Sequence, residues 1–198
     1  MTRTLAFSDL HLSRSHAEVL VAESATAELV IGAGDFCNMR KGLPQAMALL
    51  EGITTPLVLV PGNAESVEEL RQAAPPNATV LHGTGIEMAG LRLFGLGYGV
   101  PVTPFGTWSC DLTEDFAADL LARMQSADIL ITHSPPKGVA DVTSAGQSVG
   151  STAVRDAIRR AAPRLALCGH IHDSWGQSGR IGDTEVHNLG PTPNWFDL

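Results

Sequence analysis

Two short polar clusters near opposite ends of the chain carry residue types suited to metal chemistry. Ser8-Asp9-Leu10-His11 follows a strand-like run at residues 4–8, and Gly169-His170-Ile171-His172 follows another at residues 165–168. In an extended chain, residues two apart point to the same side. Asp9 with His11, and His170 with His172, can therefore each converge on one point. Carboxylate and imidazole donors meeting in this way are what a divalent transition metal needs. Three further apolar runs end in residues of the same kind: Gly32-Ala33-Gly34-Asp35, Pro61-Gly62-Asn63-Ala64-Glu65 and Thr132-His133-Ser134-Pro135-Pro136. Each piece alone has an ordinary structural reading. An aspartate after glycine commonly caps a helix, a Gly-Asn pair commonly makes a turn, and a lone histidine is more often structural than a ligand. Together, five strand ends carry seven candidate ligands: Asp9, His11, Asp35, Asn63, His133, His170 and His172. Independent turns would not collect oxygen and imidazole donors in this way.

The elements that must position them follow from hydrophobic periodicity. Strands are expected at residues 4–8, 28–33, 56–60, 129–132 and 165–168, and helices at 16–27, 42–50, 65–74, 114–124 and 152–161. Strands alternating with helices of this length indicate βαβ units and a sheet covered on both faces. Such sheets place sites at the carboxyl ends of their strands. The middle of the chain differs. Residues 79–81, 85–88 and 91–96 read as short strands in hairpins, followed by a long Gly- and Pro-rich loop at 95–106. Residues 175–177, 179–181 and 184–188 read as a second hairpin set.

Composition bounds the function. The 198 residues, 44% of them hydrophobic, fit one globular domain spanning 1–198. A chain of this length needs no disulfide staples. Its net charge of −8 argues against a general nucleic-acid or anionic-membrane binder. It leaves phosphate chemistry open, because bound cations can supply positive charge. Cys37, Cys110 and Cys168 are odd in number and widely spaced, which reads as reduced thiols in the cytoplasm. No apolar run is long enough to span a bilayer, and a functional Asp9 leaves no room for a cleaved leader.

The order D-x-H, G-D, G-N, H, G-H-x-H resembles the signature of the calcineurin-like metallophosphoesterases, over residues 9 to 172. Thr132-His-Ser-Pro-Pro136, Cys168-Gly-His-Ile-His172 and Asn188-Leu-Gly-Pro191 are similar to the small prokaryotic members. The resemblance implies an α/β fold, a four-layer α/β/β/α sandwich of the metallophosphoesterase type, with a dinuclear centre at the strand ends. It implies one metal held by Asp9, His11, Asp35 and His172, and another held by Asp35, Asn63, His133 and His170, with Asp35 bridging. Catalysis would act through that centre, with Asp35, Asn63 and His133 as its core and a metal-activated hydroxide as nucleophile. The donor set suits Mn, Fe, Zn or Co, and the loaded centre retains about one positive charge to attract phosphate. The expected function is metal-dependent hydrolysis of a small phosphorylated substrate, with a phosphodiester favoured over a monoester. The alternative is a non-catalytic metal-binding or scaffold protein of the same fold, and an oligomer is compatible with either.

One departure from the family pattern matters. Many members carry a histidine directly after the asparagine, thought to contact phosphate and help protonate the leaving group; here the position is Ala64. Loss of a general acid typically costs about 10²–10⁴-fold for a poor leaving group. A good leaving group, an acid supplied from elsewhere or a slow activity would each follow. Glu65 and His82 are candidate replacements, although Glu65 more readily supports the first turn of the following helix. Asn38 and Arg40 are candidate phosphate contacts, against the plainer reading of a solvated loop. Phe94, Tyr98, Phe105 and Trp108 are candidates for an aromatic platform. Lys137 and Asp141 are candidate entrance residues or ordinary surface. Cys37 and Cys168 read as small buried fillers, and His16 and His187 as structural or exposed.

Overall fold

The computed structural model describes residues 1–198. The elements run β1 (Arg3–Phe7), α1 (Arg14–Ser24), β2 (Leu29–Gly32), α2 (Leu43–Leu49), β3 (Leu57–Leu59), α3 (Val67–Ala73), β4 (Ala78–Val80), β5 (Thr84–Met88), β6 (Leu91–Leu96), α4 (Glu114–Leu121), β7 (Ile129–Thr132), α5 (Thr152–Ala161), β8 (Leu165–Cys168), β9 (Ser178–Ile181), β10 (Thr184–Asn188) and β11 (Asn194–Asp197). They form two sheets. One has the order β11-β1-β2-β3-β4, the other β5-β6-β7-β8-β10-β9. Strands β1 to β4 are mutually parallel, as are β6, β7, β8 and β10; β11, β5 and β9 lie antiparallel at edges.

Side-chain alternation turns two sheets into four layers. Leu5 and Phe7 of β1 and Val30 of β2 pack outward with Ala17 and Leu20 of α1, Leu43 and Met47 of α2 and Leu70 of α3. Their neighbours Ala6, Leu29 and Ile31 turn inward and meet Leu93, Ile129, Ile131, Leu165 and Leu167 of the other sheet. On the far side, Leu130 and Ala166 pack under Leu120 and Leu121 of α4 and Val154 and Ile158 of α5. This is the period of two expected of strands buried on both faces, and the architecture is the α/β/β/α sandwich. Helix α5 is anchored at its start by Glu114, whose carboxylate accepts from the Ser151 hydroxyl and the Thr152 and Ala153 N–H groups. That satisfies orphan donors and complements the helix dipole.

The main elements lie where periodicity puts them, with three differences. Residues 79–81 do not join a hairpin: β4 pairs in parallel with β3 and ends the first sheet. Residues 175–177 are not a strand, because a 3-10 turn at His172–Ser174 leads into Trp175 instead. The last strand, β11, pairs antiparallel with β1. Its sequence, Asn-Trp-Phe-Asp after two prolines, has no clear alternation to announce it. No helix is long and apolar enough to cross a membrane.

The inner layer holds the two sheets in register, so it sets the geometry of their shared rim. Ile131 is fully buried there, one residue from the end of β7. Ile131→Ala is expected to cost about 2–5 kcal/mol of stability, read as a lower urea midpoint with an unchanged slope.

Candidate metal centre

All seven residues lie just beyond the carboxyl ends of parallel strands: Asp9 and His11 after β1, Asp35 after β2, Asn63 after β3, His133 after β7, and His170 and His172 after β8. The first sheet thus brings the oxygen donors and one imidazole, and the second brings three imidazoles. Ligand atoms of Asp9, His11 and His172 gather within 4.8 Å of one another, and those of Asp35, His133 and His170 form a second such group. Asp35 joins the two. Its Oδ2 lies 3.6 Å from His11 Nε2 and its Oδ1 3.4 Å from His133 Nε2. His172 Nε2 lies 3.7 Å from Asp9 Oδ1.

Hydrogen bonds behind these groups fix which atoms face inward. His133 Nδ1 donates to the Ala33 carbonyl at 2.9 Å and His11 Nδ1 to the Cys37 carbonyl at 3.1 Å, so each presents Nε2 to the centre. Asn63 Nδ2 donates to Ser109 Oγ at 3.0 Å, which turns Oδ1 toward His133 Nε2 at 3.2 Å. Ser109 is in turn held by Asp111 and Thr103. Asp9 accepts from Ser8 Oγ, from Trp175 Nε1 at 3.0 Å and from the His170 N–H. Asp9, His11, Asp35 and His170 all have left-handed backbone. That conformation is uncommon for such residues, and it recurs at sites where the surroundings impose it.

The result is a set of acceptors aimed at one another. His11 Nε2 meets His172 Nε2 at 3.2 Å, and His133 Nε2 meets His170 Nδ1 at 3.2 Å, amid the Asp35 and Asn63 oxygens. Imidazole nitrogens and carboxylate oxygens packed this closely are stabilised by positive charge among them, from a proton on His133 or from a bound cation. Burial opposes charge on His133, yet the Asp35 carboxylate outweighs it and raises that imidazole to about 9. Asp35, although buried, is held well below the usual carboxylate range, chiefly by His133 and then by His11 and His170. Burial, reinforced by the charge on His133, pushes His170 down to about 3. Imidazole, carboxylate and amide donors without thiolate fit Mn, Fe, Zn or Co.

Glu65 holds this arrangement from below. It is fully buried, and its Oε1 accepts from the Gly62 N–H at 2.7 Å and the Asp35 N–H at 2.8 Å. Burial and the neighbouring Asp35 carboxylate push it up to about 7. It is neither in the first turn of α3, where Ser66 and Glu69 form the capping box, nor among the residues lining the cavity. His82 is also elsewhere, packed on Tyr98 and accepting from the Gly97 N–H. Arg40 is engaged: its guanidinium makes two 2.8 Å bonds to Glu69, so its fork does not point to the centre. Asn38 is exposed and donates to the His11 carbonyl at 3.4 Å. Asp141 is a buried loop organiser accepting from Gly138, Ser148 and Gly150, not a surface residue. Cys37 and Cys168 are buried thiols whose ionisation is pushed up by burial.

A cavity of about 300 Å³ opens over the two groups, lined by His11, Asp35, Asn63, His170, His172 and the aromatic pair Phe105 and Trp108. Phe105 and Trp108 stack at 5.7 Å with 8° between planes. Phe94 is in the core, and Tyr98 accepts from the Val67 N–H, so two of the four candidate aromatics wall the cavity. Ala64 is buried among apolar neighbours under the helices and does not line it. Trp175, whose ring also packs on His172 at 4.3 Å, and Ser109 went unnoticed in the sequence. Their partners lie 166 and 46 residues away, with no local signal.

A family model described as the calcineurin-like phosphoesterase superfamily domain matches residues 3–196. The chain is 35% identical over 125 residues to the human metallophosphoesterase domain-containing protein 1, which covers 60% of this chain and 35% of that protein. The chain therefore spans about a third of the length of that curated relative. The solved structure of TT1561 of Thermus thermophilus superposes with a TM-score of 0.75 at 16% identity, covering 99% of this chain and 98% of that one. A dimetal phosphatase from Danio rerio superposes with a TM-score of 0.65 at 12% identity, covering 96% and 88%. At these identities the superpositions speak for the fold.

The Glu65 contacts set an expected outcome. Glu65→Ala strands two buried N–H groups, each worth about 1–3 kcal/mol, and should lower stability by about 2–5 kcal/mol. Glu65→Gln keeps an acceptor oxygen and should recover most of that loss. Urea denaturation of chelator-treated protein measures both.

Proposed function

Because the chain belongs to the calcineurin-like phosphoesterase superfamily, we propose that it is a metal-dependent phosphoesterase acting on a small phosphorylated substrate, with phosphodiester hydrolysis as its reaction. The observation that carries this reading is the convergence of carboxylate, amide and imidazole acceptors around Asp35, with no protein cation besides the histidines themselves. Asp9, His11, Asp35 and His172 would hold one divalent ion, and Asp35, Asn63, His133 and His170 the other. Bound there, two such ions supply charge to a phosphate and lower the pKa of a water so that it can serve as nucleophile at neutral pH.

The chain's own residues do the positioning. Asp35 offers one oxygen to each group, which sets the spacing of the two halves. The Ala33 and Cys37 carbonyls fix the ring orientations of His133 and His11, the kind of outer contact that raises ligand basicity. Phe105 and Trp108 wall the cavity.

Proton delivery to the leaving group is the weak point. Every titratable side chain lining the cavity belongs to one of the two clusters. Ala64 offers neither a proton nor an approach to the substrate. This favours substrates whose leaving oxygen departs without protonation.

Two measurements test the reading. Chelator-stripped protein should take up two equivalents of Mn²⁺ by calorimetry and hydrolyse bis-para-nitrophenyl phosphate only when loaded. Asp35→Asn retains an oxygen for the Ala64 N–H and should remain folded. It should lose more than about 100-fold in activity, since even outer-contact mutations cost 10–100-fold. Uptake of metal without any hydrolysis would shift the reading to a non-catalytic metal-binding protein. Wild-type activity in Asp35→Asn would sink the two-ion arrangement.

A further inference from the structure

Phe105 stands between two spaces. On one side lies the polar cavity over the histidines; on the other lies a larger cleft of about 690 Å³, and both are lined by Phe105 and His170. The larger volume falls within the roughly 300–1,000 Å³ of small-molecule sites. Its apolar wall is formed by Val100, Pro101, Val102, Phe105, Val149 and Ile171, with threonine and serine hydroxyls also in the lining. Val102 and Phe105 are 60% and 50% exposed, although large apolar side chains gain from burial.

The charged groups along this cleft are already occupied. Glu114 is spent on the start of α5, where three donors satisfy its carboxylate. Lys137 rests its ammonium on the Ser148 carbonyl. The cleft therefore offers apolar contact with one paired anion and one paired cation at its wall, a surface that suits an uncharged apolar body.

Phe105 makes two aromatic contacts. One face lies on Trp108, and its ring meets His170 at 66° with 6.3 Å between centroids. A phosphate over the histidines thus has an apolar recess directly beside it, and a diester has a second ester group that must go somewhere. We propose that the cleft seats the apolar alcohol portion of a phosphodiester, an alkyl or aryl group, while its phosphate lies at the histidine end. This rests on the phosphoesterase reading and adds the substrate class to it. The apolar group contributes binding that is independent of the leaving group's acidity. A site without a general acid at position 64 then gains specificity from the group it keeps.

The test is a series of methyl, butyl and hexyl para-nitrophenyl phosphate diesters with Mn²⁺-loaded protein. The nitrophenolate leaving group is constant, so only the retained alkyl group varies. Burial of each methylene predicts a rise in kcat/KM of about three- to fourfold per carbon until the cleft is filled. Hexyl should exceed methyl by at least about 30-fold, carried mainly by KM. Val149→Asp should flatten the series to less than about threefold. Equal turnover of all three diesters would overturn the cleft assignment and leave the phosphoesterase reading standing. If none is hydrolysed, the phosphoesterase reading fails. Calorimetry with hexylphosphonate and methylphosphonate then decides the cleft: tighter binding of the hexyl compound, lost in Val149→Asp, upholds it, and equal affinity overturns it.

Discussion

A single buried carboxylate ties together the two loops that matter most. Glu65 gathers the N–H groups of Gly62 and Asp35 on one oxygen, with those of Phe36 and Cys37 nearby. The loop after β2 and the loop after β3 are thereby drawn so close that a methyl group on Gly62 would overlap the Asp35 backbone and carboxylate. Gly34 is subject to the same closeness, lying against Gly62 and the His133 ring with φ of +94°, a conformation glycine adopts at little cost. Asp35 can therefore face both histidine groups at once. Its side chain is placed by what holds its own N–H, as much as by the strand that precedes it.

This explains why the cluster tolerates such concentrated polarity. Burying a carboxylate, an amide and several imidazoles is costly unless each is paired. Here four of the seven residues are backed by a second group: carbonyls behind His133 and His11, Ser109 behind Asn63, and Ser8 and Trp175 behind Asp9. A bound cation would satisfy together the ligand atoms that gather in the two groups. The acidic net charge of the chain is no obstacle to phosphate chemistry in such a place, because local charge is set by what the ligands gather.

Much of the fold was legible because its central strands obey a strong rule. Runs such as Leu29–Gly32 and Ile129–Thr132 are short, apolar and bounded by polar turns, and helices separate them. What was missed lacks that contrast. β4 has partly buried residues throughout, so nothing in its three residues says whether it pairs with the strand before or after it. β11 is an edge strand whose partner is at the other end of the chain. At the site, residue types at strand ends drew attention to the seven polar residues, since chemistry constrains type locally. The role of Glu65 depends on a neighbouring loop 30 residues away, which its own spacing does not reveal. Arg40 reads as a free guanidinium in the sequence, yet it pairs with Glu69, 29 residues on. Long-range partners leave no mark on local spacing.

The two sheets are drawn from nearly separate stretches of chain. Strands β1 to β4 end at Val80, strands β5 to β10 run from Thr84 to Asn188, and only β11 returns to the first sheet. Each half collects its own strands from nearby sequence. The carboxylates belong to one half and most of the imidazoles to the other. Neither half alone owns the pocket, so its polar seam comes into being only when the halves dock. A partly folded chain, however rich in secondary structure, would lack it. An assembled seam at the rim reports that the two halves have come together.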